Sequence, residues 1–300
     1  MTQETETAPG VPRRARMDSK ELGLVLARQL LGVEDLHYGL WDPDLELSFE
    51  NLVTAQQRYS EMLIGRLPQP ASGVRVLDVG CGTGHLLAQM LDRGYAADGL
   101  VPAPALAAIV RQRLARRAAS PSRVFECRFE DLPEDCGRYY DLALFSESFQ
   151  YVQLAASLAK LQRILRPGAS LLICDFFKTD AHRDGGVGDR SMGGGHSLRA
   201  FREAIAKTPF AAVEELDITT RMSPNLKLLN DTLMLKVKPA ALTVDRFLED
   251  NYPWLYWLSR KLMRSRLEKV QRKYFSGLRS PETFEHYKTY RLLHYRLPAA

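Results

Sequence analysis

Cysteine is sparse, four residues in 300, and Cys81, Cys127, Cys136 and Cys174 form no CxxC pair and have no histidine at zinc-finger spacing. Neither a disulfide scaffold nor a structural zinc is expected, and no metal site is assigned. Long apolar runs are missing as well: none reaches the roughly 18 residues that a membrane-spanning helix needs. Arg13, Arg14 and Arg16 follow acidic residues and precede no apolar region, so no export or transit signal is read and a cytoplasmic location is expected. A dominant charge is lacking too. With 41 Lys+Arg against 36 Asp+Glu the net charge is +5, read as a mild excess spread over many segments, and it nominates no nucleic-acid partner.

What remains is an ordinary globular composition, 45% hydrophobic, enough in 300 residues for one large core with a small cap. Residues 1–18 are polar, carry Pro9, Gly10 and Pro12 and show no periodicity, so a disordered tail is expected. Leu22, Leu26, Leu30 and Val33 then recur at helical spacing behind the capping Ser19, and a second helix is expected over Phe49–Leu67, ending before Pro68. Together 19–70 read as a helical lid. Short β-branched and aliphatic runs at Val74–Val79, Tyr95–Leu100, Val124–Phe129, Asp141–Phe145 and Ser170–Phe177 alternate with helical stretches at Leu86–Arg93, Pro104–Arg117 and Leu154–Leu165, the last stopped by Pro167-Gly168. Strand and helix in alternation predict a doubly wound, Rossmann-like, mostly parallel α/β sheet. With a further helix near Ser197–Lys207 and a strand near Ala212–Thr219, the core spans 71–219. Residues 220–280 read as an inserted helical cap, in pieces near Thr243–Leu248 and Trp254–Tyr274 separated by prolines 224, 239 and 253. Residues 281–300 supply a last helix and a closing strand.

The strongest motif is Val76-Leu77-Asp78-Val79-Gly80-Cys81-Gly82-Thr83-Gly84, in which alternate glycines follow a buried strand and open a helix. Glycine there lets backbone approach a ligand closely. A dinucleotide site would read G-x-G-x-x-G, and His85 breaks that pattern. The string resembles motif I of the class I S-adenosylmethionine-dependent methyltransferases. Tyr140–Phe145 is similar to that family's fourth strand and Leu165–Leu172 to its fifth-strand entry.

The resemblance implies that Gly80, Cys81, Gly82 and Gly84 line the methionine part of S-adenosylmethionine and that Asp78 acts on its ammonium. It puts Leu100 and Val101 beside the ribose, where the family usually has an acidic residue and this chain has valine. Asp98, three positions earlier, is a poor replacement. Cys127–Pro133 is similar to the adenine-binding turn, with Phe129 packing on the base and Glu130 or Asp131 accepting from its amino group, although Arg128 stands where Asp is frequent. Core packing is the competing role of Phe129.

Ligands of open α/β sheets lie beyond the carboxyl ends of the strands, which puts Ser146, Glu147 and Tyr151 at the reacting methyl. Glu147 lacks the second glutamate of the arginine methyltransferases, and no Asn/Asp-Pro-Pro-aromatic string is present. The loop His37-Tyr38-Gly39-Leu40-Trp41 resembles the amino-terminal lid of tocopherol, sterol and glycine/sarcosine-type methyltransferases, with Tyr38 and Trp41 against the cofactor; space filling between helices is their plain alternative. For a hydroxyl or amine acceptor the base would be His37 or His196, the latter also an ordinary helix-entry residue. For an electron-rich carbon, the tyrosines and Glu147 matter more. The expected function is methylation, at O or C, of a small, partly apolar acceptor, and the basic, Trp-containing segment 254–274 admits a lipid-like acceptor and peripheral membrane contact. The rivals are a nucleotide-dependent oxidoreductase and a cofactor-binding protein without catalysis. NADH and NADPH should leave both the absorbance spectrum and the melting temperature unchanged; a clear response to either would favour the oxidoreductase.

Overall fold

The computed structural model describes residues 37–70, 73–117, 122–133, 136–137 and 139–299. The expected tail over 1–18 and the helix from Ser19 lie outside the described residues. Seven strands form one sheet, in the order β3-β2-β1-β4-β5-β7-β6. They are β1 (Arg75–Val79), β2 (Ala96–Leu100), β3 (Val124–Phe125), β4 (Tyr140–Ser146), β5 (Leu165–Lys178), β6 (Ala211–Asp217) and β7 (Lys288–Arg296). Strands β1 to β5 are parallel, and β7 runs antiparallel between β5 and β6. The helices are α1 (Leu52–Ile64), α2 (His85–Asp92), α3 (Pro104–Ala115), α4 (Leu154–Ile164), α5 (Leu198–Ile205), α6 (Thr219–Met222), α7 (Pro224–Thr232), α8 (Lys238–Asn251), α9 (Pro253–Tyr274) and α10 (Pro281–Tyr287).

The sheet is buried on both faces, and its strands divide their side chains by parity. Leu172 and Cys174 of β5 and Leu292 of β7 join Leu40, Tyr59 and Leu87 in one cluster. Leu171, Ile173 and Leu293 join Phe145, Phe149 and Phe201 in the other. Each fully buried large side chain stabilises the fold by roughly 1.5–3 kcal/mol against exposure.

Three expectations need correcting. Helix α4 ends at Ile164 and β5 begins at once, so Pro167 and Gly168 stop no helix. They lie in a bulge, where Tyr140 pairs with Leu165 but Leu142 already pairs with Ser170. A bulge tolerates the missing N–H of proline, and Gly168, at φ +79°, donates its N–H to the Pro298 carbonyl at 2.9 Å. In the cap, Pro239 breaks nothing: a π-helical turn over Leu233–Val237 joins α7 to α8 and takes up the hydrogen-bond mismatch that proline imposes. Only at Tyr252-Pro253 does the chain reverse into α9. The positive excess is not spread either. Helix α9 carries seven basic residues and one acidic, a net of +6, which leaves −1 for the rest of the chain.

At the amino-terminal edge of the sheet, fully buried Asp98 ties four strands together. It accepts from the Arg123 N–H at 2.8 Å and the Tyr140 hydroxyl at 2.9 Å, and pairs with the guanidinium groups of Arg123 and Arg75 at 3.1 and 3.3 Å. Asp98 therefore faces away from the ligand end. Asp98→Ala strands two cations; because both are partly exposed, the loss should lie near the lower end of the ~3–5 kcal/mol seen for broken buried pairs. Urea unfolding should show it, with ligand affinity of the folded fraction unchanged.

Candidate active site

Val79 of β1 and Phe145 of β4 are register partners, so the chain leaves both strands at the same edge of the sheet. From β1 it enters the glycine turn, where Gly80, Gly82 and Gly84 all have φ between +55° and +78°. The N–H groups of Gly80 and Cys81 both donate to the Leu100 carbonyl, at 2.7 and 3.0 Å, which folds the turn back over β2. A Cβ at Gly80 would sit 2.4 Å from the Cβ of Ser148, whereas one at Gly82 would meet nothing within 4 Å. Gly80 is glycine for packing. Gly82 leaves open volume beside bare backbone at the amino end of α2, the positive end of a helix dipole. Asp78, 1% exposed, lies beneath the turn.

The sides of this volume differ from the expectation. Val101 is buried and donates its N–H to the Phe125 carbonyl at 3.0 Å, and Leu100 is buried beside it. With Asp98 committed at the opposite edge, the expected ribose position holds no carboxylate. Phe129, 2% exposed, stands edge-on to Phe145 at 5.3 Å and is a core residue. Glu130 accepts from the Gln153 N–H at 2.8 Å and so holds the amino end of α4. These two side chains support the site from behind.

From β4 the chain passes through Ser146 into Glu147, a non-glycine residue at φ +52°. Such a conformation costs on the order of 1–3 kcal/mol and persists where the surroundings over-determine it. Here they do. Glu147 Oε1 accepts from the Tyr290 hydroxyl at 2.8 Å and from the Tyr38 N–H at 2.9 Å, joining β4 to β7 and to the lid. The Tyr59 hydroxyl of α1 lies 3.0 Å from Ser146 Oγ and 3.4 Å from the Tyr290 hydroxyl, and His37 stacks on the Tyr59 ring at 4.4 Å. Burial raises the Glu147 carboxyl above the ordinary range despite these donors, and pushes Tyr38 up to about 12.

Asp175, near the end of β5, accepts from the N–H groups of Gln150 and Phe176 at 2.9 and 2.8 Å. Lys288, 1% exposed at the start of β7, donates to the Gly194 carbonyl and stands 5.2 Å over the Phe176 ring. Tyr151 is the last residue of a short 3-10 turn, Phe149–Tyr151, and is 66% exposed at the rim.

Two expected site residues do other work. His196 Nε2 lies 3.0 Å from the Phe149 carbonyl and its ring packs edge-on against Phe149. That contact places it with the second cluster, on the sheet face opposite His37 and Tyr59. Trp41 is buried, and its Nε1 donates to Asn225 Oδ1 at 3.0 Å. The same oxygen accepts from the Gly39 N–H at 2.9 Å, while Asn225 Nδ2 donates to the carbonyls of Gly39 and Met222 at 2.7 Å. Asn225 thus latches the lid to the cap, and Gly39 must be small because a Cβ there would meet the Ala55 Cβ at 2.5 Å.

Tyr59, Asp175, Asn225, Lys288 and Tyr290 escaped the sequence reading. Asp175 had a signal, as the only charge in the run Leu171–Phe177. Tyr59 and Asn225 had none, since each looks like an ordinary helix residue. Among the described residues no group of three metal-binding side chains forms, and the four cysteines are free thiols.

The fold is that of Rossmann-like methyltransferases of class I. Residues 76–168 match the family model of a methyltransferase domain. An uncharacterized methyltransferase of Mycobacterium tuberculosis is 30% identical over 132 residues, 43% of this chain and 51% of the relative, so the chain spans about half the length of the curated relative it matches. Geranyl diphosphate C-methyltransferase from Streptomyces coelicolor A3(2), solved with Mg2+, geranyl-S-thiolodiphosphate and S-adenosyl-L-homocysteine, superposes with a TM-score of 0.64 at 16% identity, over 91% of each chain. A cyclopropane synthase from Mycobacterium tuberculosis gives 0.62 at 18% identity, over 87% of this chain and 90% of that one. These structural likenesses show the fold, including lid and cap.

Two tests follow from the geometry. Asn225→Ala leaves buried donors of the lid unpaired and should cost about 1–3 kcal/mol in urea unfolding, with faster hydrogen exchange at Gly39. Burial and the neighbouring Glu147 hold the Asp175 proton up to about 8, against 3.8 ordinarily. Between those values the folded chain binds more protons, so stability falls as pH rises from about 4 to about 8. Lys288 acts oppositely: burial lowers it to about 8 from 10.5, and its contribution rises with pH above about 8. Asp175→Asn should flatten the fall in the urea midpoint between about pH 5 and about pH 8; an unaltered slope would rule this account out.

Proposed function

We propose that this protein transfers a methyl group from S-adenosylmethionine to a small, partly apolar acceptor, at oxygen or carbon. The observation that carries the reading is the pairing of Val79 with Phe145, which sets the open glycine turn beside the carboxylate and tyrosines that follow β4. The cofactor fits these residues: the missing Cβ at Gly82 leaves room, and the amino end of α2 offers N–H groups. Gly80, Gly82 and Asp78 would hold its amino-acid part, and Leu100 and Val101 would border its nucleoside. Bound there, it supplies an electrophilic methyl on a sulfonium, open to in-line displacement.

The chain's own residues orient the acceptor and manage its proton. Glu147, raised by burial and fixed through Tyr290 and Tyr38, is placed to take a proton from an acceptor hydroxyl or to balance positive charge developing on a carbon acceptor. Tyr59, fully buried against the stacked His37, backs the lid side of the volume and holds His37 in place. Of the two candidate bases His37 and His196, His37 is the one on this face, and Tyr151 stands at the rim where an acceptor enters. The tyrosine walls suit an apolar, lipid-like body, and among the described residues no helix is long and apolar enough to cross a membrane.

Calorimetry should register binding of S-adenosylmethionine and of S-adenosylhomocysteine. Gly82→Ala, whose added Cβ meets no protein atom within 4 Å, should weaken both at least about tenfold, the cost of about 1.4 kcal/mol, while the circular dichroism spectrum is retained. Glu147→Gln should lower kcat by roughly 10²–10⁴-fold if it is the base, with cofactor affinity little changed. Folded wild-type protein that binds neither compound would sink the proposal.

A further inference from the structure

Every described residue from Pro239 to Gln271 is exposed except Asp245 and Tyr256, which hydrogen-bond across the α8–α9 hairpin at 3.0 Å. Helix α8 buries no residue at all. Yet the hairpin is apolar: at and after its turn Phe247 is 56% exposed, Tyr252 52%, Trp254 68%, Trp257 62% and Leu262 74%. Soluble monomers rarely leave so continuous an apolar surface uncovered. The same segment holds the chain's positive charge, a net of +6 on α9 against −1 elsewhere.

We propose that this hairpin seats the protein on an anionic lipid bilayer, with the aromatic turn in the headgroup layer and the basic residues of α9 at its surface. The order of residues supports this. Tyr252, Trp254 and Trp257 come first, and Arg260, Lys261, Arg264, Arg266 and Lys269 follow along the helix. Aromatic rings with one apolar side and one polar edge favour the headgroup level, and cations behind them meet anionic lipid. Lys261 stands 5.0 Å from the Trp257 ring and Arg260 5.5 Å from the Tyr256 ring, so both stems lie along apolar surface while the charge remains at its edge. Between α8 and α9 runs a groove of about 750 Å3, in which Leu242, Trp257 and Leu267 stand beside Arg260, Lys261 and Arg264. A second copy is the weaker occupant, since a two-fold contact would set +6 against +6. The helix lies on the bilayer and does not span it, because charges recur within every 18-residue stretch. This inference stands on the hairpin alone, whatever the reaction.

The hairpin carries a built-in reporter: of the three tryptophans, Trp41 is buried and the other two are exposed on α9. The full chain should co-sediment with vesicles of phosphatidylcholine and phosphatidylglycerol, with a blue-shifted emission that brominated lipid quenches, and should bind pure phosphatidylcholine at least tenfold more weakly. Trp254→Ser with Trp257→Ser should lower co-sedimentation at least tenfold, and Arg260→Gln with Lys261→Gln and Arg264→Gln should lower partitioning at least tenfold, both with cofactor calorimetry unaltered. The proposal is overturned if folded, monodisperse protein ignores anionic vesicles, or binds both vesicle types equally. It is also overturned if ultracentrifugation shows a dimer that the tryptophan variants dissociate, or if single-stranded RNA, in place of vesicles, takes the protein up.

Discussion

The contact between Glu147 and the Tyr290 hydroxyl, 2.8 Å long, is the constraint on which the ligand end of this protein depends. It joins the end of β4 to β7, and through the Tyr38 N–H it joins both to the lid. A glutamate at φ +52° would relax if any of these partners were missing. A buried carboxylate with two donors is also poised chemically, because burial raises its affinity for a proton while the donors orient it.

The position of β7 makes that contact possible. Entering antiparallel between β5 and β6, β7 begins where β5 ends, so Lys288 and Tyr290 arrive at the ligand end although they lie 110 residues or more from β5 in sequence. The cap that fills the gap does two separable things. Its near part, α6 to α7 with Asn225, latches the lid; its far part, α8 and α9, leaves the body of the protein and packs mainly on itself.

The likeness to solved methyltransferases extends over lid, sheet and cap at under 20% identity. In the cleft of this chain Val101 is buried and uncharged, Asp98 is turned to the opposite edge, and Tyr290 and Tyr38 meet Glu147.

The alternation of apolar runs with helical stretches was sufficient to reveal the sheet, its strand count and the inserted cap, because burial on both faces leaves a local, periodic record. The glycine turn was equally legible, since positive φ at Gly80, Gly82 and Gly84 is written in residue type. Glu147 and His37 could be named as candidates from their neighbours in the chain. Their partners could not: Tyr59, Tyr290 and Asn225 acquire their role mainly through contacts spanning 87 to 231 residues, and no local pattern encodes a contact of that range. For the same reason His196 and Trp41 looked available until packing gave one to Phe149 and the other to Asn225. Sequence alone determined which segments must be buried and where backbone must turn, because both are local properties. Which side chains face one another across the cleft, and which apolar residues find no cover, only the tertiary structure decided, because both depend on where distant strands and helices come to rest.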